Sequence, residues 1–292
     1  VPRSVRVTTR NASFQQWQAL LANRTKRHRA GEFLVQGVRP ITLAVEHGWP
    51  VSALLHDGTG PLSGWAREVI DRVPDATRVA MDRELLAELG GKSDTAPELV
   101  AVVRTPADRL DRISVAPDSL VLVFDRPTAP GNIGTVVRSA DAFGAAGVVV
   151  TGHAADPYDP KAVRASTGSL FAVPTVRAGG HQEVLDWIDR LRRRGVPLRI
   201  VGTDEHGDTD VADEDLTGPV AILIGNETRG LSAAWRDACD RMVRIPMTGA
   251  ASSLNAATAG SVLLYETARQ RRRAVAGPAA RSGATRTGSA TG

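Results

Sequence analysis

Short, nearly continuous apolar runs alternate along this chain with stretches whose apolar residues recur every three or four positions. Read as strands, the runs fall at 33–36, 51–55 and 99–103, then at 120–124, 147–150, 198–201, 220–224 and 242–245. Read as helices, the periodic stretches fall at 11–21, around 41–45, at 62–73 and 83–89, then at 133–143, 182–194, 232–238 and 254–272. Strands and helices in alternation predict an α/β fold. The later strands are apolar at almost every position, as in a mostly parallel sheet covered by helices. A polar, proline-bounded stretch interrupts the alternation, so the pattern predicts two α/β units, residues 11–106 and 120–275, joined by a linker at 107–119. Residues 1–10 read as a flexible basic arm. The Gly, Ala, Ser, Thr and Arg of 276–292 cannot build a core and read as a disordered tail.

The last helix carries a second pattern. Ala256, Ala257, Ala259 and Gly260 give it a face of small side chains, with Ser252 and Ser253 ahead of it as candidate caps. A glycine in mid-helix costs roughly 1 kcal/mol against alanine. Such a face suits the close approach of another backbone, a bound cofactor or a twin subunit.

Composition narrows the class. Hydrophobic residues make up 42% and charged residues 23%, a balance ordinary for soluble proteins. No run of 18 apolar residues occurs, so no membrane span is expected. The opening VPRSVRVTTR lacks the apolar run of a secretory signal. A single cysteine, Cys239, forbids an internal disulfide and favours a cytoplasmic protein. In its helical setting Cys239 reads as a small filler.

The formal charge is only +4, but its placement is uneven. No acid precedes Glu32 and none follows Glu266. Arg24, Lys26, Arg27 and Arg29 crowd a segment without apolar period, and Arg39 follows soon after. Basic ends on a near-balanced body suit phosphates, and arginine forks match phosphate geometry. Aromatics amount to 4%, which leaves little for base stacking. Phe14, Trp17 and Phe33 read instead as core of the first unit.

In a parallel sheet, ligands gather at the carboxyl ends of the strands. Three loops there combine glycine with amides, acids and hydroxyls: DRPTAPGNIGTVVRSADAFGA after Phe124, GNETRGLS after Ile224 and PMTGAASSLN after Ile245. GxGxxG, a Walker loop, HExxH and GxSxG are all missing. The histidines show no paired spacing, and with one cysteine no zinc or other metal site is expected. What is left is a reaction run by positioning and electrostatics.

Taken together, the three loops resemble the three signature motifs of the SpoU/TrmH family of RNA ribose 2′-O-methyltransferases. PGNIGTVVRSADAFG carries Asn132, Gly134 and Arg138; IGNETRGLS carries Gly225, Asn226, Glu227 and Gly230; IPMTGAASSLNAATAGSVLLYE carries Ile245, Pro246, Ser253, Leu254 and Asn255. The first unit resembles the family's L30e-like substrate-binding domain. The opening NASFQQWQALLANRTKRHRAGEFLVQGVRPI is most similar to the actinobacterial members that confer avilamycin-type resistance. Gln36 departs from the family pattern, where an acid often precedes the glycine.

The resemblance implies a SPOUT-type catalytic domain with a deep trefoil knot, a homodimer, and S-adenosyl-L-methionine as methyl donor. It implies catalytic roles for Arg138, Asn132, Glu227, Ser253 and Asn255. Gly202, Thr203, Gly225, Ile245 and Leu254 would bind the cofactor, and Arg24, Lys26, Arg27, Arg29 and Arg39 would grip RNA. Arginine stays protonated, so Arg138 either clamps a phosphate and steadies the developing alkoxide or assists deprotonation through that contact. Asn132 could equally cap its helix. The implied substrate is 23S ribosomal RNA, at a uridine near the peptidyl-transferase region. A transfer RNA methyltransferase and a noncatalytic ribosomal RNA-binding or assembly protein are the alternatives.

Overall fold

The computed structural model describes residues 4–91 and 96–276. Its first unit runs β1 (Ser4–Val7), α1 (Ala12–Ala22), α2 (Arg24–Ala30), β2 (Glu32–Gln36), α3 (Val38–Glu46), β3 (Val51–Asp57), α4 (Gly64–Arg72), β4 (Thr77–Met81), α5 (Arg83–Gly90) and β5 (Leu99–Arg104). Its five-stranded mixed sheet has the order β1-β4-β3-β5-β2. Side chains set the helix starts. Asn11 accepts the Phe14 amide (3.1 Å) to open α1, and Asn23 accepts the Lys26 amide (3.0 Å) to open α2.

The expected arm is not free. Ser4–Val7 pairs in parallel with β4, and Val7 is buried. Val5 and Val7 alternate with Arg6, so one face of the strand is apolar, and Arg10 pairs with Glu88. The charges had masked that alternation. Arg3, Lys92 and the expected tail from 277 onward lie outside the described residues.

The expected linker does more than connect. Leu110 and Ile113, around a short 3₁₀ turn, are buried against the second sheet, and Asp108 pairs with Arg177. There follow β6 (Leu120–Asp125), α6 (Pro130–Ala142), β7 (Gly147–Thr151), α7 (Pro160–Ser166), α8 (Ser169–Ala172), β8 (Thr175–Ala178), α9 (His181–Arg193), β9 (Arg199–Thr203), β10 (Thr209–Asp210), β11 (Val220–Ile224), α10 (Ala233–Ala238), β12 (Arg241–Arg244) and α11 (Ala256–Ala276). The sheet order is β10-β12-β9-β11-β6-β7-β8, and every pairing is parallel. All its strands therefore end on one edge.

The small face of α11 packs inside the chain. A Cβ at Gly260 would strike Ile224 of β11, and Ala256 and Ala257 are buried. The outer side of α11 keeps Thr258 and Tyr265 exposed, and α6, on which α11 packs, keeps Thr135, Arg138 and Ala142 exposed. No helix among the described residues is long and apolar enough to cross a membrane.

The two units share one hydrophobic cluster rather than touching at a seam. Phe33 and Trp49 of the first unit meet Tyr158 and Phe171 of the second, with ring centroids 4.8 Å apart for Phe33–Tyr158 and 5.1 Å for Trp49–Phe171. Phe33 was expected in the small unit's own core. It is buried, but between the units.

Candidate active site

β12, β9, β11 and β6 are consecutive in the large sheet, so the loops leaving their carboxyl ends converge. Glu227, in the loop after β11, joins them. Its carboxylate accepts the Thr128 amide and hydroxyl (both 3.0 Å), the Ala129 amide (3.3 Å) and Asn132 Nδ2 (3.0 Å). Asn132 Oδ1 in turn accepts from Asn255 Nδ2 (3.2 Å). Asn255 Oδ1 accepts the amides of Ala257 (2.9 Å) and Thr258 (3.2 Å) and so caps α11. The cap is Asn255, not the expected serines, and the helix starts at Ala256. One hydrogen-bonded line thus runs through all three loops.

Partial burial pushes the Glu227 pKa up, but the bonds from Asn132 and Thr128 outweigh it. The carboxyl titrates below its ordinary range. Asn132 does not serve as the cap it could have been. It sits inside α6, which opens on Pro130, and its side chain is spent on Glu227 and Asn255.

Behind this line lies a layer whose contacts the sequence does not show. Buried Asp125 accepts from Thr151 Oγ1 (2.9 Å) and Arg126 Nε (3.0 Å). Arg126 has a positive φ of 52°, unusual for a residue with a side chain. Its guanidinium donates to the Gly230 carbonyl (3.2 Å), and its own carbonyl accepts from Asn226 Nδ2 (2.7 Å). A Cβ at Gly225 would collide with the backbone of Gly230 and Leu231, so only glycine lets the loop close on itself. The sequence shows Asp125 only as an acid ending an otherwise apolar strand; the fold adds its register with Thr151.

Of the five residues expected to act on substrate, the fold gathers Asn132, Glu227 and Asn255. Ser253 is exposed on the loop before α11. Arg138 is exposed on α6, six residues past Asn132 and so about 9 Å further along the axis. Among the described residues its side chain makes no hydrogen bond or ion pair. Of the cofactor candidates, Gly202 and Thr203 end β9, Gly225 follows β11 and Ile245 follows β12. Thr203 Oγ1 ties β9 to the Leu223 carbonyl of β11 (2.9 Å). Gly202 has its open side filled by Cys239, Met242 and Leu231, so it offers backbone only. Leu254 and Met247 each remain 37% exposed. Burial pushes the Cys239 thiol up to about 11, consistent with a filler. No group of three or more His, Cys, Asp or Glu side chains among the described residues could hold a metal ion.

The basic residues divide. Lys26, Arg29 and Arg39 are exposed, and Arg24 is exposed with one nitrogen on the Ala154 carbonyl (2.6 Å). Arg27 is a correction. It is 2% exposed and paired with Asp156 (2.8 Å), so it is closed to RNA. Its place on α2, facing the second unit, decided this, and charge density along the sequence does not encode helix phase.

Residues 11–101 match the SpoU L30e-like domain, and residues 119–265 match the SpoU rRNA Methylase family. The chain is 62% identical over 270 residues to the 23S rRNA (uridine(2479)-2′-O)-methyltransferase of Streptomyces viridochromogenes, spanning 92% of this chain and 94% of that one. The crystal structure of the SpoU methyltransferase AviRb from the same organism, in complex with the cofactor AdoMet, superposes with a TM-score of 0.86 at 62% identity, covering 90% and 99% of the two chains. An AdoMet-bound rRNA methyltransferase from Sinorhizobium meliloti gives 0.81 at 26% identity, covering 91% and 98%. The chain thus belongs to the SpoU rRNA methylase family, with an L30e-like domain ahead of its SPOUT-type methylase domain.

Proposed function

We propose that this enzyme transfers a methyl group from S-adenosylmethionine to the ribose 2′-hydroxyl of a uridine in 23S ribosomal RNA, in the cytoplasm and as a homodimer. The observation that carries the proposal is the line Glu227–Asn132–Asn255, which fixes three loops around one point at the carboxyl edge of the sheet. The high identity to a uridine-specific relative supports the substrate class.

The residues present fit the cofactor. Ile245, Met247 and Leu254 offer apolar surface beside main-chain groups at the ends of β9, β11 and β12, a setting for a flat base read along its edge. When bound, the cofactor supplies an electrophilic methyl on a sulfonium. The chain's own part is to place a poor nucleophile in line with it and to manage the charge that develops. Glu227 is no general base here, because four donors already occupy its carboxylate. It orients Asn132, whose amide orients Asn255. Arg138, always protonated, clamps the phosphate beside the target ribose and stabilises the emerging alkoxide as the hydroxyl proton passes to water.

Arg138 stands apart from the Glu227 line within one chain. Beside it, Thr135, Ala142, Thr258 and Tyr265 form an exposed stripe across α6 and α11, with Tyr265 against Phe143 (5.8 Å between centroids). We assign the homodimer contact to this stripe. The knotted path belongs to the same proposal: α11 returns from the edge side of the sheet to pack on α6 and β11.

Purified protein incubated with radiolabelled S-adenosylmethionine and 23S, 16S or transfer RNA tests the assignment. The expected product is a single alkali-resistant 2′-O-methyl position in 23S RNA, with Arg138→Ala reducing kcat by on the order of 10² or more. Label confined to transfer RNA would overturn the substrate assignment.

A further inference from the structure

Arg27 ties the small domain to the catalytic one. Its Nε donates to Asp156 Oδ2 (2.8 Å) and its Nη2 to Asp159 Oδ2 (3.4 Å). Its Nη1 donates to the carbonyl of Leu20 (2.8 Å) in its own domain. Both Arg27 and Asp156 are buried, and Asp156 also accepts the Tyr158 amide (3.0 Å). Nearby, Arg24 donates to the Ala154 carbonyl (2.6 Å) and Trp49 Nε1 to the Phe171 carbonyl (3.0 Å).

The segment that receives Arg27 also holds the catalytic loop. The Ala155 amide donates to the Pro127 carbonyl (2.7 Å), and a Cβ on Gly152 would lie 2.9 Å from Arg126 Cγ. Pro127 directly precedes Thr128, which donates twice to Glu227. One segment and one loop therefore separate Arg27 from the centre of the active site. On the other side of Arg27, the same helix α2 presents Lys26 and Arg29 to solvent.

A buried ion pair is a poor device for stability, because apolar replacements of similar volume often do as well or better. What a forked guanidinium supplies is direction. With Nη1 anchored on carbonyls of its own domain, Nε and Nη2 aimed at Asp156 and Asp159 fix the rotation and shift of one domain on the other, which an aromatic contact alone leaves free to slide. We propose that Arg27 is a positioning residue that holds the small domain in register with the Pro127–Thr128 loop, so that RNA seated on α2 presents one ribose, and not its neighbours, to the methyl-transfer site. This rests on the reading of Lys26 and Arg29 as RNA contacts.

The test uses full-length Arg27→Lys, Asp156→Asn and Trp49→Phe, with the double variant Lys26→Ala/Arg29→Ala as control. Each is checked by circular dichroism, and interdomain geometry is followed by small-angle X-ray scattering. Arg27→Lys keeps the charge and loses the fork. It is expected to bind S-adenosylmethionine and 23S RNA as the wild type does. At saturating RNA its turnover falls on the order of tenfold to a hundredfold, as misplacement of reacting groups costs. Minor 2′-O-methyl stops then appear at neighbouring nucleotides. Trp49→Phe keeps an aromatic, though smaller, ring and removes one interdomain hydrogen bond, so it moves the same way by less, and serves if Asp156→Asn fails to fold. A folded Arg27→Lys with wild-type turnover and a single stop overturns the proposal. So does a loss of RNA affinity matching that of Lys26→Ala/Arg29→Ala, which would make Arg27 part of the grip. If the double variant binds RNA normally, the RNA reading of α2 falls and the register proposal with it, while the scattering of Arg27→Lys still reports whether the seat has loosened.

Discussion

Glu227 accepts donors from Thr128, Ala129 and Asn132, and this arrangement has a signature in pH. Its folded pKa lies below the ordinary value, so its stabilising contribution is present above the unfolded pKa of about 4.3 and is lost as pH falls through the folded one. Replacing it by glutamine removes that dependence. The melting-temperature gap between wild type and Glu227→Gln should be widest above about pH 5 and narrow toward pH 3. A gap constant over that range would mean the hydrogen bonds do not favour the charged form. Arg126, with its positive φ and its bonds to Asp125 and Gly230, belongs to the same residue-scale logic: backbone strain is retained where two loops must be held together.

Among the elements, α6 and α7 approach so closely that a Cβ on Gly134 would overlap the Ala162 carbonyl. Alanine is the better helix former by roughly 1 kcal/mol. Here the obstacle is backbone, which cannot swing aside, so Gly134→Ala should destabilise by about 1–3 kcal/mol in chemical denaturation. A stabilised variant would show that the helices can separate at little cost. This contact also shows where the sequence stopped being readable. The NIGTVV stretch announced α6 through its apolar period, but α7 and α8 were missed because they run to seven and four residues, too short for a period. β4 and β8 escaped for the same reason, with Arg78 and Arg177 breaking their apolar runs. The large sheet was legible because its strands are buried on both faces. In the site, Asn132, Glu227 and Asn255 were legible through the motifs. Asn226 was legible as a motif residue but its bond to the Arg126 carbonyl was not, Asp125 could be seen only as the acid closing an apolar run, and Arg126 was not legible at all, since these contacts follow from strand register and a loop closing on itself. Arg27 was misread because its neighbours in sequence face solvent and it does not.

For the molecule as a whole, the exposed cations of the small domain make a claim about salt. If Lys26, Arg29 and Arg39 each meet a phosphate, replacing all three by glutamine should lower the slope of log K against log salt for 23S RNA binding by about 0.7–0.9 per residue. Filter binding across a salt series reads this directly, and an unchanged slope would place the RNA elsewhere. The cluster that joins Phe33 and Trp49 to Tyr158 and Phe171 has a different consequence, one of timing. Arg27 and Asp156 are separated by 129 residues of chain. At a synthesis rate of about 5–20 residues per second, the partner emerges roughly 6 to 26 s after the arginine does. Through that interval the nascent small domain carries a charged side chain without its carboxylate and an aromatic face without its cover. Its final form is reached only once the second half of the polypeptide has been translated.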